Sequence, residues 1–172
     1  MKTENIEIKS KCNNTEKIKK ILEKLNARCI GIDYQIDTYF NVKNGRLKLR
    51  EGNIENALIF YKRENIKQNK YSEVILYPTK NSKALKQILT ETMGVKIIVK
   101  KQREIYFIEN VKFHIDKIDN LGEFIEIEAQ NSNGKYNISQ LKAQCDYYIK
   151  LFDLKKENFI ETSYSDLLIN KQ

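Results

Sequence analysis

Apolar and charged residues alternate along much of this chain. This is typical of β-strands, because successive strand side chains point to opposite faces. The stretch FIEIE at residues 124–128 puts two isoleucines on one face and Glu126 and Glu128 on the other. The stretch NIEIK at residues 5–9 repeats the arrangement. Carboxylates on a shared face converge, so their function depends on whether that face meets bulk water or a partner that requires negative charge.

Eight segments carry this strand pattern. Turn signals separate them, and Asn44-Gly45 is a strong predictor of a β-hairpin. The predicted strands cover residues 5–9, 35–41, 46–50, 57–64, 71–78, 95–109, 110–118 and 122–130. Their number and the short turns between several of them favour one antiparallel sheet.

Three other segments repeat apolar residues at spacings of three and four, which predicts amphipathic helices. The first begins at Asn14 or Thr15, which are both good capping residues. The second begins at residues 81–82 and ends at Gly94, a residue suited to a left-handed cap. The third covers residues 138–154, and a short turn with the sequence SYSDLL follows it.

The composition is that of one globular domain, residues 1–172, with one proline and six glycines. No window reaches the roughly 18 uninterrupted apolar residues that a membrane span requires, and the sequence begins without the apolar core of a signal peptide, so we expect a cytoplasmic protein. Three cysteines and a single histidine predict neither a disulfide framework nor a zinc site. The net charge of +8 favours an anionic partner, which leaves nucleic acid, a membrane surface and a phosphorylated small molecule open.

The polar faces of the predicted strands carry charges of both signs rather than neutral polar groups. Lys48 and Arg50 share a face of one predicted strand, and Lys101 and Arg103 share a face of another. On a third strand, Lys112, His114 and Asp116 share a face. One interpretation is an antiparallel sheet with a solvated face. The other is an α+β fold in which eight strands curl into a barrel or tunnel, with the charged face inside and helices packed outside.

A charged interior requires a charged ligand, because isolated buried ions cost several kcal/mol each. A triphosphate supplies enough negative charge for the lysines and arginines. The convergent carboxylates then suit Mg²⁺ or Mn²⁺, which bind oxygen ligands and bridge phosphate oxygens.

The sequence resembles the CYTH superfamily of triphosphate tunnel metalloenzymes, and within it the class IV adenylate cyclases. The resemblance extends over nearly the whole chain, and its motifs are specific when they occur in this order. They are IEIK at 6–9, QIDTYFNVKNGRLKLRE at 35–51, LIFYKR at 58–63, KKQR at 100–103, FHIDKIDNLGEFIEIE at 113–128 and SYSDLL at 163–168. The resemblance implies an eight-stranded antiparallel tunnel that binds a triphosphate together with a divalent metal.

The resemblance also implies roles for particular residues. Glu7 and Lys9 match the end of the E-x-E-x-K signature, whose first glutamate is replaced by Asn5. The implied triphosphate ligands are Lys9, Lys48, Arg50, Lys62, Lys101 and Arg103, the implied metal ligands are Glu7, Glu126 and Glu128, and the implied catalytic residues are Lys9 and Asp116. Asp116 either completes the metal shell or orients a lysine. For His114, a structural hydrogen bond and a proton transfer both stay open.

Two reactions fit such a tunnel. A class IV adenylate cyclase converts ATP to cyclic AMP and pyrophosphate, whereas a triphosphatase hydrolyses thiamine triphosphate, a nucleoside triphosphate or tripolyphosphate. A triphosphate-binding module without turnover is a further alternative. Basic and aromatic residues are not interleaved as on a stacking platform, so we expect a small-molecule triphosphate rather than nucleic acid or a membrane as partner. Members of the family often form dimers, which leaves a homodimer open.

Overall fold

The computed structural model describes residues 5–63, 72–131 and 134–171. The strands are β1 Asn5–Lys11, β2 Arg28–Phe40, β3 Arg46–Glu51, β4 Ala57–Arg63, β5 Ser72–Pro78, β6 Val95–Ile108, β7 Val111–Ile118 and β8 Gly122–Gln130. The helices are α1 Thr15–Lys24, α2 Lys83–Met93, α3 Ile138–Leu151 and α4 Tyr164–Ile169, with a 3₁₀ turn at Lys156–Asn158. Among the described residues no helix is both long enough and apolar enough to cross a membrane.

All eight strands form one antiparallel sheet in the order β1-β8-β7-β6-β2-β3-β4-β5. The sheet curls into a half-barrel. Its edge strands β1 and β5 do not pair with each other in the part of the chain that the structure describes. The predicted fold of eight antiparallel strands with external helices is confirmed. The predicted strand ends at Glu64 and Tyr71 lie outside the described residues.

The outer face of β1, β7 and β8 is apolar and lies beneath α1 and α3. Ile18 and Leu22 of α1 are buried there, and Phe113 of β7 packs edge-on against Tyr148 of α3 with 4.7 Å between ring centroids. The Asn14 side chain caps α1 by accepting a hydrogen bond from the Lys17 amide, as the sequence predicts. Burying these side chains turns the opposite face of the strands toward the interior of the half-barrel.

Helix α2 covers a second apolar patch, where its Leu89 packs on Phe40 of β2 and Leu49 of β3. The helix ends at Gly94, which has a φ of 72°, in the left-handed region that glycine tolerates best. Between the two covered patches, Ile32 and Tyr34 of β2 stay 40% and 64% exposed on the outer face.

Strand β2 is longer than predicted, because it begins at Arg28 rather than near residue 35. Its first half pairs with β6 through a register shift between Cys29 and Gly31. The shift breaks the period-two alternation on which the strand prediction depends. The extension brings Asp33 into the half-barrel, where its carboxylate accepts the backbone N–H groups of Ile54 and Glu55.

One end of the half-barrel is closed by α4, which the sequence predicts only as a short turn. Ser163 and Asp166 form a capping box at its start. Inward-facing apolar residues pack with Tyr164 of this helix; they are Tyr39, Ile97, Val99, Ile118 and Phe124. The interior therefore has an apolar floor beneath its charged part.

Candidate functional site

The inner face of the sheet surrounds a cavity of about 560 Å³. That volume lies within the range of roughly 300–1,000 Å³ that is common for small-molecule sites. The predicted site residues that line it are Glu7, Lys9, Lys48, Arg50, Lys101, Arg103, Glu126 and Glu128. Strand alternation brings these side chains together from four strands, as the pattern of the sequence indicates.

Lys62 is not among the cavity residues. It is exposed on the outer face of β4, because its neighbour Tyr61 takes the inward position and successive strand side chains alternate. The prediction that Lys62 binds a triphosphate is therefore corrected here, since the structure does not bring this side chain together with the other predicted residues.

Three of the predicted cations converge on Asp37, a buried residue of β2 that was not predicted. Its Oδ2 lies 2.8 Å from Lys48 Nζ and 3.1 Å from Lys101 Nζ, and its Oδ1 lies 2.9 Å from Arg50 Nε. Burial alone would raise the pKa of Asp37, but the three cations hold it well below the usual range. Asp37 has the inward parity of Gln35 and Tyr39, so strand alternation was the signal that could have found it.

The cations themselves crowd one another. Burial and the charge of Arg50 lower the pKa of Lys48. Burial and the charges of Arg103 and Arg50 lower the pKa of Lys101 well below its usual range. One carboxylate thus does not balance the three charges around it, and an additional anion would favour the charged form of both lysines.

A second cluster is centred on Arg103. Its guanidinium donates to both oxygens of Asp116 at 2.6 Å and to Glu126 Oε2 at 2.7 Å. Asp116 is fully buried and does not line the cavity. Its bidentate contact orients Arg103. Lys9 lies on the other side of the cluster, with its Nζ 3.6 Å from Glu126 Oε1 and 3.3 Å from Glu7 Oε1.

His114 is buried beside this cluster, and its Nδ1 lies 3.3 Å from Glu126 Oε2. Burial and the charge of Arg103 lower the pKa of His114 to about 3, so the imidazole is neutral at pH 7. Within the described residues its Nε2 atom has no hydrogen-bond partner. This geometry makes His114 a partner of Glu126.

The remaining carboxylates lie opposite each other, because Glu7 of β1 and Glu128 of β8 are directly paired in register. Burial and the charge of Glu7 raise the pKa of Glu128 to about 7. The Asn5 amide donates to Glu128 Oε1 at 2.7 Å, and Asn5 Oδ1 is buried without a hydrogen-bond partner among the residues described. Two like charges face each other here, whereas Glu126 has cationic partners.

Comparison with known proteins agrees with this architecture. The CYTH domain family model matches residues 3–138. The chain belongs to the CYTH domain family. It is 29% identical to a Methanocaldococcus jannaschii protein named "Putative adenylate cyclase", and the match covers 94% of this chain and 97% of that protein.

Solved structures share the fold of this CYTH chain. The PH1012 protein from Pyrococcus horikoshii superposes with a TM-score of 0.83 at 26% identity, covering 95% of this chain and 98% of the other. An X-ray structure from Vibrio parahaemolyticus, named as a putative adenylate cyclase, superposes with a TM-score of 0.73 at 18% identity and covers 95% and 97% of the two chains. The second likeness concerns the fold alone.

The CYTH family implies a divalent metal, and the carboxylates of this chain fit one in part. Over residues 5–63, 72–131 and 134–171, no three acidic, histidine or cysteine side chains form a ready metal cluster. Mg²⁺ needs no such cluster, since it commonly takes one or two carboxylates and completes its shell with water and phosphate oxygens. Glu7, Glu128 and the Oδ1 atom of Asn5 are hard oxygen donors of the type it prefers. Glu126 is already engaged by Arg103 and Lys9.

Glu55, which the sequence analysis did not single out, also lines the cavity. Glu55 accepts from Lys112 Nζ at 2.5 Å and from Arg50 Nη1 at 3.0 Å, and Gln35 donates to it at 3.1 Å. Although burial opposes it, the charges of Lys112 and Arg50 lower the pKa of Glu55. Glu55 lies in a loop, where no periodicity reveals the direction of a side chain.

Proposed function

We propose that this CYTH protein is a metal-dependent enzyme that acts on a nucleoside triphosphate and converts ATP to cyclic AMP and pyrophosphate. The observation that carries the proposal is a single cavity lined by several buried cations, Lys9, Lys48, Arg50, Lys101 and Arg103. The name of the archaeal relative supports the cyclase reaction over other triphosphate chemistry.

The electrostatics of the cavity support a polyanionic ligand. Lys48 and Lys101 both have lowered pKa values because burial and neighbouring cations disfavour their charged forms. A triphosphate between them would reverse this effect and make charge-assisted hydrogen bonds with each donor. A neutral ligand would leave the crowding of charge unrelieved.

In the proposed reaction the ribose 3′-hydroxyl oxygen attacks the α-phosphorus of ATP. The new ester bond closes the cyclic phosphate as the bond between the α-phosphorus and the bridging oxygen breaks, and pyrophosphate leaves. Lys9 is the proposed acceptor of the hydroxyl proton, and for this step its ammonium group first releases a proton to solvent. Arg103, oriented by Asp116, stabilises charge on the phosphoryl oxygens.

Glu7 and Glu128, with Asn5 beside them, are the residues that would hold Mg²⁺ or Mn²⁺. When bound, such an ion offsets the negative charge of the phosphates and of the two carboxylates. The protein's own contribution at this position is to present two paired carboxylates from adjacent strands.

Product analysis tests the proposal. The purified protein is incubated separately with ATP, thiamine triphosphate and tripolyphosphate, in each case with Mg²⁺ or Mn²⁺. Cyclic AMP and pyrophosphate from ATP are expected. Orthophosphate as the product would identify a triphosphatase instead, and tight binding of ATP without any product would identify a binding module.

The Lys9→Ala variant tests the assignment of the proton acceptor. We expect cyclase activity to fall by about 100-fold or more, which is typical for loss of a positioned acid or base. A Lys11→Ala variant is the matched control, because Lys11 lies two residues further along β1 and is exposed. Full activity in Lys9→Ala would remove Lys9 from the mechanism.

A further inference from the structure

Tyr164, a residue of α4, contacts two of the cations that line the cavity. The ring of Tyr164 lies under Lys9, whose Nζ is 4.3 Å from the ring centroid, and Lys101 Nζ is 5.8 Å from the same centroid. The Tyr164 hydroxyl donates to Asp116 Oδ2 at 2.8 Å. Tyr164 therefore contacts two lysines through its ring and the carboxylate that orients Arg103 through its hydroxyl.

The ring and the hydroxyl of Tyr164 affect their neighbours in different ways. The face of an aromatic ring attracts an ammonium group, so the ring favours a position of Lys9 above the floor. Burial and the charge of Asp116 raise the pKa of the Tyr164 hydroxyl well above its usual range, so the hydroxyl stays protonated and donates. Asp116, in turn, accepts both from this hydroxyl and from Arg103.

Two contacts hold the segment that carries Tyr164 against the sheet. The Asp166 carboxylate lies 2.7 Å from Arg46 Nη2, which ties α4 to β3. The backbone N–H of Ile160 donates to the Lys9 carbonyl at 2.9 Å, which ties the segment before α4 to β1. Helix α4 lies outside residues 3–138, the range that the CYTH domain family model matches.

We propose that Tyr164 is a positioning residue for polyphosphate binding, which holds Lys9 through its ring and Arg103 through Asp116 so that both cations face one phosphate group. This inference rests on the proposed function. It assigns to α4 a part in ligand recognition in addition to its packing against the floor of the cavity.

Tripolyphosphate binding, measured by isothermal titration calorimetry, tests the role of the ring and of the hydroxyl separately. Tyr164→Phe keeps the ring and loses the donor to Asp116, so we expect binding to weaken by about threefold. Tyr164→Leu loses both, and we expect a loss of about tenfold or more. Equal binding by wild type and Tyr164→Leu would overturn the proposal.

Phe124→Leu is the matched structural control. The Phe124 ring packs on Tyr164 with 5.0 Å between centroids, and it is buried in the same apolar floor without lining the cavity. We expect it to lower the thermal unfolding midpoint with binding changed less than twofold. A loss of binding as large as that of Tyr164→Leu would show that packing alone is responsible, and this result would also overturn the proposal.

A measurement without ligand separates this inference from the proposed function. Because the ring lies against Lys9, the ε-methylene protons of Lys9 should show an upfield ring-current shift in the NMR spectrum, assigned with a Lys9→Arg variant. The shift should persist in Tyr164→Phe and disappear in Tyr164→Leu. If wild type binds no tripolyphosphate but shows this pattern, the proposed function fails while the positioning of Lys9 stands. Absence of the shift in wild type would overturn the positioning itself.

Discussion

The two sides of the cavity differ in the sign of the charge that is in excess. Around Asp37, three cations from β3 and β6 share one buried carboxylate, so positive charge is in excess on that side. Across the cavity, Glu7 and Glu128 face each other, and an amide group of Asn5 is the hydrogen-bond donor to Glu128. One side has more positive than negative groups, and the other retains a pair of carboxylates. The comparison indicates that the first side is suited to an added anion, whereas the second is suited to an added cation.

The same contrast separates two residues of one strand. Glu126 accepts a hydrogen bond from Arg103 and lies near Lys9. Burial alone would raise the pKa of Glu126, but the charges of Lys9 and Arg103 hold this pKa well below the usual range. Glu128, two residues along β8, has a pKa raised to about 7 by burial and by Glu7. Identical side chains on one strand face therefore have opposite electrostatic environments, because their neighbours on β1 differ.

The largest expected effect comes from removing the compensating acid. Asp37→Ala leaves Lys48, Arg50 and Lys101 buried without their shared partner, and we expect it to lower the free energy of unfolding by about 3–5 kcal/mol. Urea denaturation measures this loss. Asp119→Ala, at an exposed turn, should change stability by less than about 0.5 kcal/mol. If Asp37→Ala is as stable as the control, the cations do not depend on Asp37.

Removing one cation should affect ligand binding more than stability. In Lys101→Ala, Asp37 retains two cationic partners, so the fold should persist, while tripolyphosphate affinity should fall by about 10–100-fold as a charge-assisted contact is lost. Calorimetric titration measures the change. Lys62→Ala, on the outer face of β4, should bind within about twofold of wild type under the same conditions. Comparable losses in both variants would place the ligand outside the cavity.

The pairing of Glu7 with Glu128 should make the stability of the protein depend on pH. A folded-state pKa near 7 for Glu128 lies above the unfolded value, so the native state holds a proton that the unfolded state releases, and stability falls as pH rises from about 4.5 to 7. Glu128→Gln removes this loss. Allowing for its partial exposure, we expect the variant to be about 1–2 kcal/mol more stable than wild type at pH 8 and nearly equal at pH 4.

Thermal unfolding followed by circular dichroism across this pH range measures the difference. Glu157→Gln, at an exposed position, is the matched control and should track wild type at every pH. A difference between Glu128→Gln and wild type that is the same at pH 4 and pH 8 would contradict the like-charge pair.

The smallest expected effect concerns Asn5. Asn5→Asp places a third carboxylate beside Glu7 and Glu128, and it should tighten Mn²⁺ binding by about threefold to tenfold at pH 8, measured by electron paramagnetic resonance without substrate. Asn44→Asp, in the exposed hairpin turn, adds the same charge far from the pair and should leave binding unchanged. Equal tightening in both variants would mean that overall charge, rather than a local site, governs Mn²⁺ affinity.

The strands, three helices and most of the charged cavity residues could be predicted from the sequence, because each depends on a local period. Glu7, Lys48, Arg103 and Glu126 all alternate with apolar neighbours, so their common direction is visible in the sequence. Lys62 was assigned from the family resemblance alone, because the segment ALIFYKR is apolar on both faces and does not show which parity points inward. Asp37 was missed although it shares the parity of Gln35 and Tyr39, because Thr38 on the other face is polar too and weakens the alternation.

What the sequence determined by itself is the alternation of charged and apolar side chains and the caps of its helices, since both depend on neighbours a few residues apart. Tertiary structure decided which charges meet. The pairing of Glu7 with Glu128, the three cations on Asp37 and the contact of Tyr164 with Lys9 join residues from distant parts of the chain. Strand register and the packing of α4 bring them together, and these long-range pairings leave no local period in the sequence.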